Sequence, residues 1–245
     1  VKFKLFCLPY AGGSATVYHR WKRYLHEDIE IHPLELAARG RRMAESHYLS
    51  MHEMLEDLYS QLESSIEDDI PFLLFGHSMG ALIAYELAHM TKQRLKREPA
   101  HLFVSGTYPP HAKKNNVLHL LSDERLQQEI KQFGGTEEEL FEREELIQLF
   151  LPVLRRDLEL IETHAFTSKP DLIHCDISVL NGIDDPATED YVLSEWARYS
   201  SKSCQVYSFQ GGHFFINEQT EQVVSLIHQV LCNPVLCSPE RSRGL

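Results

Sequence analysis

Long apolar runs are missing from this chain of 245 residues. No stretch approaches the roughly 20 residues that a helix needs to cross a bilayer, so a membrane-spanning segment is not expected. The apolar run Phe3 to Leu8 is too short for a secretory core and leads into a glycine loop, so it reads as a first strand. A disulfide framework is missing too. The five cysteines, Cys7, Cys175, Cys204, Cys232 and Cys237, are odd in number and lack regular spacing. Cys7, Cys175 and Cys204 lie in strand-like runs, where reduced buried thiols are expected, and the compartment reads as reducing and cytoplasmic. Basic charge is scarce. Lys and Arg number 24 against 36 Asp and Glu, a net charge of −12. That balance argues against nucleic acid and against anionic membranes as partners. Neither G-x-G-x-x-G, H-E-x-x-H nor C-x-x-C occurs, so neither a dinucleotide loop nor a metal site is expected, despite 14 histidines. Internal repeats and low-complexity segments are absent as well.

What is present is the composition of a globular domain, with 43% hydrophobic and 24% charged residues. The length suffices for one large core. Strand-like runs at 4–8, 29–34, 72–75, 101–105, 177–180 and 205–209 alternate with helical patterns at 15–26, 51–66, 80–97, 189–199 and 218–231. Such alternation predicts a mostly parallel sheet covered by helices on both faces. One segment breaks it. Between about residues 115 and 166 no strand is evident. Ser122 can cap a helix through Phe133, Gly134-Gly135 interrupts it, and Thr136 with Glu139 forms a capping box for the next. Pro152, inside the apolar stretch from Leu146 to Leu154, predicts a kink or a new helix start. The expected organisation is a core of residues 1–112 and 167–231, a helical lid insertion at 113–166, and a frayed tail at 232–245.

The chemistry is concentrated in Gly76-His77-Ser78-Met79-Gly80. This G-x-S-x-G stretch sits between a strand-like and a helix-like run, the setting of a sharp turn that lifts a serine hydroxyl above a sheet. The pattern alone is weak, since it recurs by chance in about one chain of this length in ten. A serine hydroxyl needs a base within reach, and the base needs a group that fixes its tautomer. Both are found downstream. Asn181-Gly182-Ile183-Asp184-Asp185 follows one strand-like run, and Gly211-Gly212-His213 follows the next. The order Ser78, Asp, His213 is that of the α/β-hydrolases. Asp184 and Asp185 compete as the acid. Asp185 is preferred for its distance from the strand-end glycine, which leaves Asp184 to cap the turn or the next helix. A purely structural buried histidine is the competing reading of His213, and His77 is expected to pack away from the serine tip. An oxyanion needs two donors. The backbone N–H of Met79 is one, and the other should come from Pro9-Tyr10-Ala11-Gly12-Gly13-Ser14, with Ala11 preferred and Gly12 the alternative.

Taken together, the glycine loop at Tyr10 to Gly13, the serine turn, the strand-end Gly182-Ile183-Asp184-Asp185 and Gly211-Gly212-His213-Phe214-Phe215 resemble the type II thioesterases. These are the stand-alone editing enzymes of nonribosomal peptide and polyketide synthetases. The likeness runs from about residue 4 to 231. It departs at Leu36-Ala37-Ala38-Arg39-Gly40-Arg41, where that family carries Pro-Gly-Arg. The resemblance implies an α/β-hydrolase fold with a helical lid, and a monomer without a cofactor. It further implies hydrolysis of acyl or aminoacyl thioesters from the phosphopantetheine arm of a carrier protein, which regenerates misprimed modules. Because such carriers are acidic and so is this chain, Lys113-Lys114, Arg155-Arg156 and Arg39-Arg41-Arg42 are the basic candidates for a docking face. Two rival readings are an esterase or lipase for free esters and a non-catalytic binding protein of hydrolase fold.

Overall fold

A computed structural model describes residues 2–112, 117–134, 143–166 and 169–232. Six strands form one sheet: β1 (Phe3–Leu8), β2 (Ile29–Pro33), β3 (Phe72–His77), β4 (His101–Ser105), β5 (Asp176–Gly182) and β6 (Cys204–Phe209). Their spatial order is β2-β1-β3-β4-β5-β6, and every neighbouring pair is parallel. The chain reverses its direction of travel at β1, so the carboxyl ends of β1 and β3 flank a crevice of the kind where open α/β sheets place their ligands.

The alternation of side chains splits the core. On β1, Phe6 and Leu8 join a cluster with Leu58, Leu82 and Leu102, while Leu5 and Cys7 join Tyr18, Trp21 and Phe75 on the opposite face. Helices α1 (Met51–Glu63) and α2 (Met79–Arg94) cover the first face. The second is covered by a 3-10 helix at Ala15–Arg23, the short α5 (Phe215–Glu218) and α6 (Thr220–Leu231). The segments expected as helices at 15–26 and 189–199 form 3-10 turns instead, Ala15–Arg23 and Leu193–Tyr199.

Between β4 and β5 lie a 3-10 turn (Leu118–Leu120), α3 (Asp123–Phe133) and α4 (Glu144–Thr163). Ser122 caps α3 by accepting from the Arg125 N–H. Helix α4 continues through Pro152 rather than restarting there. Its apolar stripe, Leu151, Leu154 and Leu158, packs on Leu118, Leu126 and Ile130 as a third cluster, which rests on Ala11 of the core. Gly135, the Thr136–Glu139 capping box, Lys113-Lys114, Cys237 and the tail beyond Cys232 lie outside the described residues. Among the described residues, no helix is long and apolar enough to cross a membrane.

Three histidines are sealed into this core. Burial lowers His101 and His89 to about 4 and pushes His77 well below the usual imidazole range. The unfolded chain takes up protons at His89 and His101 near pH 6.5, whereas the folded chain resists them there down to about pH 4, so stability is full above about 6.5 and falls as the pH drops. By pH 4 each of His89 and His101 should have removed on the order of 3 kcal/mol. Urea unfolding midpoints should therefore decline steadily between pH 6.5 and 4.5, and His101→Asn should flatten the decline. A midpoint independent of pH over that range would contradict the assignment.

Candidate active site

Ser78 stands at the junction of β3 and α2 with φ 54° and ψ −119°, a left-handed backbone that a non-glycine residue adopts at a cost. As the residue preceding α2, it would ordinarily turn its hydroxyl onto the helix's first amides. Here the hydroxyl makes no capping bond. The Ser78 N–H is held by the Ser105 carbonyl at 2.8 Å, which ties the turn to the end of β4. The flanking glycines are required by crowding. A Cβ on Gly76 would overlap the Gly80 carbonyl, and one on Gly80 would overlap the Leu8 carbonyl.

His213 lies in the loop between β6 and α5, and its Nδ1 is 3.0 and 2.9 Å from the two carboxylate oxygens of Asp185. Both residues are buried. Asp185 also accepts from the Ala187 N–H at 2.8 Å, so the turn is capped by the same carboxylate that holds the imidazole. Asp184, expected to provide that cap, is exposed, and its backbone N–H bonds the Gly211 carbonyl at 3.1 Å. This register follows from β5 pairing with β6 through Gly182 and Phe209, which brings the two loops together. Aromatic rings enclose His213. Phe214 lies at 5.0 Å, Phe133 of α3 at 5.6 Å and the His77 ring at 5.0 Å between centroids. His77 itself is spent structurally, with Nδ1 at 2.9 Å from Ser105 Oγ. Burial keeps it neutral, and the His213 ring beside it acts in the same direction.

Ser78, Met79, Ala11 and His213 line one cavity. Its remaining wall is largely apolar, with Leu82, Ile130, Phe133, Phe150 and Leu154 among the residues that close it. The insertion supplies most of that roof. Met79 opens α2, where the N–H groups of the first turn have no partner within the helix. Of the two alternatives for the second donor, Gly12 is committed elsewhere. Its N–H donates to Asp157 Oδ2 at 2.8 Å. The cavity lining instead includes Ala11.

No motif marks Asp157. It sits on the buried face of α4 and pairs bidentately with Arg39, at 2.5 and 2.8 Å. Arg39 also donates to the carbonyls of Gly13 and Ala37, both at 3.2 Å. One buried ion pair thus pins the insertion to the loop after β1 and to the loop after β2. A carboxylate beside the apolar stripe of α4 was the available signal. In the same loop Ala38 stands at φ 63°, in the region that favours glycine.

The expected basic docking face changes accordingly. Arg39 is buried and paired. Arg42 is engaged with Glu45 and Asp57. Arg155 holds the carbonyls of His119 and Leu121 and pairs with Asp123, and Arg156 pairs with Glu159 and donates to the Tyr48 carbonyl. These side chains hold the loop and the insertion in place rather than waiting for a partner. Of the described candidates, Arg41 is the exposed one.

Removing Asp157 would strand the Arg39 guanidinium without its counter-charge. Asp157→Ala should cost about 3–5 kcal/mol of stability. Pairing it with Arg39→Met should cost less than the two single changes summed, since no buried charge is then left alone. Additive losses in urea unfolding would argue against the clamp. Ala38→Gly should raise stability by up to about 1 kcal/mol in the same assay, because relief of the left-handed strain outweighs the added entropy of the unfolded chain.

Comparisons with known proteins identify the family. A family model described as the thioesterase domain matches residues 3–231. The thioesterase PikA5 of Streptomyces venezuelae is 33% identical over 220 residues, covering 90% of this chain and 78% of its own. The crystal structure of ClbQ from the colibactin NRPS/PKS pathway superposes with a TM-score of 0.89 at 33% identity, over 96% of this chain and 98% of that one. BorB, the type II thioesterase from the borrelidin biosynthetic cluster, superposes with a TM-score of 0.84 at 33% identity, over 94% of this chain and 93% of its own. Matched over residues 3–231 by that family model, the chain belongs to the thioesterase family.

Proposed function

We propose that this protein is a type II thioesterase that clears acyl or aminoacyl groups from the phosphopantetheine arm of carrier proteins in nonribosomal peptide or polyketide synthesis. The observation that carries the reading is the cavity itself. It brings Ser78 and His213 to one apolar chamber, with the imidazole held by both oxygens of the buried Asp185. The relatives named for such pathways supply the substrate class.

In this reading Ser78 Oγ attacks the thioester carbonyl carbon as His213 Nε2 takes its proton. Asp185 fixes the Nδ1–H tautomer and stabilises the imidazolium. The N–H groups of Ala11 and Met79 hold the oxyanion, and the positive end of α2 favours the same charge. The tetrahedral intermediate collapses by breaking the C–S bond, and the pantetheine sulfur leaves as a thiol protonated by His213. A thiol has a reference pKa of about 8.5, so this departure demands less of the acid than an alkoxide would. A water deprotonated by His213 then attacks the acyl-Ser78 ester and releases the carboxylic acid. His77, kept neutral by burial, does not compete for that proton. The helical insertion serves as the lid over the acyl chain. Among the described residues, Cys7, Cys175, Cys204 and Cys232 are free thiols, consistent with a reducing setting.

Hydrolysis of a panel of acyl-carrier thioesters, alongside matched free esters and with Ser78→Ala as control, tests the reading. Wild type should prefer the carrier thioesters and Ser78→Ala should be inactive. A large preference for free esters would favour the esterase alternative, and absence of fluorophosphonate labelling at Ser78 would favour a binding protein. Asp185→Asn should lower turnover by on the order of 10⁴, as removal of the triad carboxylate does elsewhere. Asp184→Asn should leave it close to wild type, and the reverse pattern would move the acid to Asp184.

A further inference from the structure

The chamber that holds Ser78 and His213 backs onto a second one. Tyr108, from the loop after β4, and Ile161, near the end of α4, line both. Neither is fully buried. Tyr108 is steadied from behind by the Tyr191 ring, with centroids 4.9 Å apart. Ile161 packs against the edge of the main core cluster.

The second chamber has a mixed wall, of which Pro110, Ala112, Val117, Ala165 and Phe166 form the apolar part. Glu162, His111 and Thr163 have hydrogen bonds within the protein. Glu162 accepts from the N–H groups of Leu118 and His119 at 3.0 and 3.1 Å, and lies 2.7 Å from His119 Nδ1. The His111 ring spans Tyr199 Oη at 2.8 Å and Glu195 at 2.9 Å. Thr163 Oγ1 donates to the Glu159 carbonyl at 2.6 Å. His164 packs its ring against Phe166 at 4.5 Å, and burial lowers its affinity for a proton. An aliphatic tail would meet the apolar part of that wall, next to the lining that surrounds the reacting serine.

We propose that Tyr108 and Ile161 form a partition that sets the acyl-chain length this enzyme accepts. Short chains end in front of it, and the aliphatic end of a longer chain reaches the second chamber only past these two side chains. The proposal rests on the thioesterase reading, because it assumes that the acyl group runs from Ser78 into the apolar chamber. Enlarging the gap should extend the usable chain, and each further methylene that gains apolar surroundings should add about fourfold to kcat/KM. Narrowing it should shorten the chain.

The test uses acyl N-acetylcysteamine thioesters from acetyl to myristoyl with wild type, Ile161→Ala and Ile161→Phe. Ile161→Ala should shift the kcat/KM profile toward longer chains, and Ile161→Phe should cut it off earlier. Fluorophosphonate labelling of Ser78 in each variant reports that the site is assembled. Should Ile161→Ala fail to fold, Ile161→Val opens the same gap with less loss of packing. Profiles that superimpose on wild type after scaling would overturn the partition. A wild type that labels at Ser78 but hydrolyses no thioester in the series would instead sink the thioesterase reading, so the two failures are separable.

Discussion

The arrangement turns on the crowded corner between β3 and α2. Gly76 and Gly80 leave no room for side chains because the helix is folded back almost onto the strand, and Leu8 of β1 lies against it. Ser78 takes a left-handed backbone in consequence. That conformation is unfavourable in isolation, and it persists because the surroundings over-determine it. Helix α2 is buried along most of its length, and the Ser105 carbonyl anchors the Ser78 amide. Burying such a helix compensates for the strain, and the hydroxyl that emerges is relieved of capping duty.

A second constraint governs how the insertion meets this corner. Arg39 and Asp157 come from segments 118 residues apart, and their paired charges lie almost wholly out of solvent. A buried ion pair is no guarantee of net stability, because desolvation opposes the attraction. Its geometric effect is plainer. Asp157 bonds the Gly12 amide while Arg39 bonds the Gly13 carbonyl, so the loop beside Ser78 and the helix above it share one anchor. Gly12 also lets Phe150 of α4 approach closely, since a Cβ there would press on that ring. The roof of the chamber and the loop at its floor are thereby held in mutual register.

The surface charge therefore carries a different meaning. A chain of net charge −12 spends much of its arginine on internal order, in Arg39, Arg42, Arg155 and Arg156. Sequence position gave no hint of that, because a guanidinium reads the same whether solvated or folded under a helix. The histidines divide in a similar way. His77, His89 and His101 are core residues held neutral by burial, whereas His213 faces a cavity and a carboxylate. The difference lies in what the tertiary structure places around each ring.

Much was legible in the residues themselves. Alternating apolar strands and helical spacing determined a parallel α/β sheet, since side-chain period follows backbone geometry. The glycines around Ser78 marked a sharp turn, because only their missing side chains allow the backbone to close there. The order of Ser78, Asp185 and His213 fits strands whose carboxyl ends share one edge. What remained undetermined were choices between neighbours and contacts between distant segments. Asp185 rather than Asp184 meets the imidazole because β5 and β6 pair in one register, and a one-residue slip would reverse the two. Gly12 is withdrawn as a donor only because Asp157, 145 residues away, reaches its amide. Local sequence determines local backbone through short-range sterics, whereas long-range pairings depend on the packing of the whole chain, and only the tertiary structure decided those.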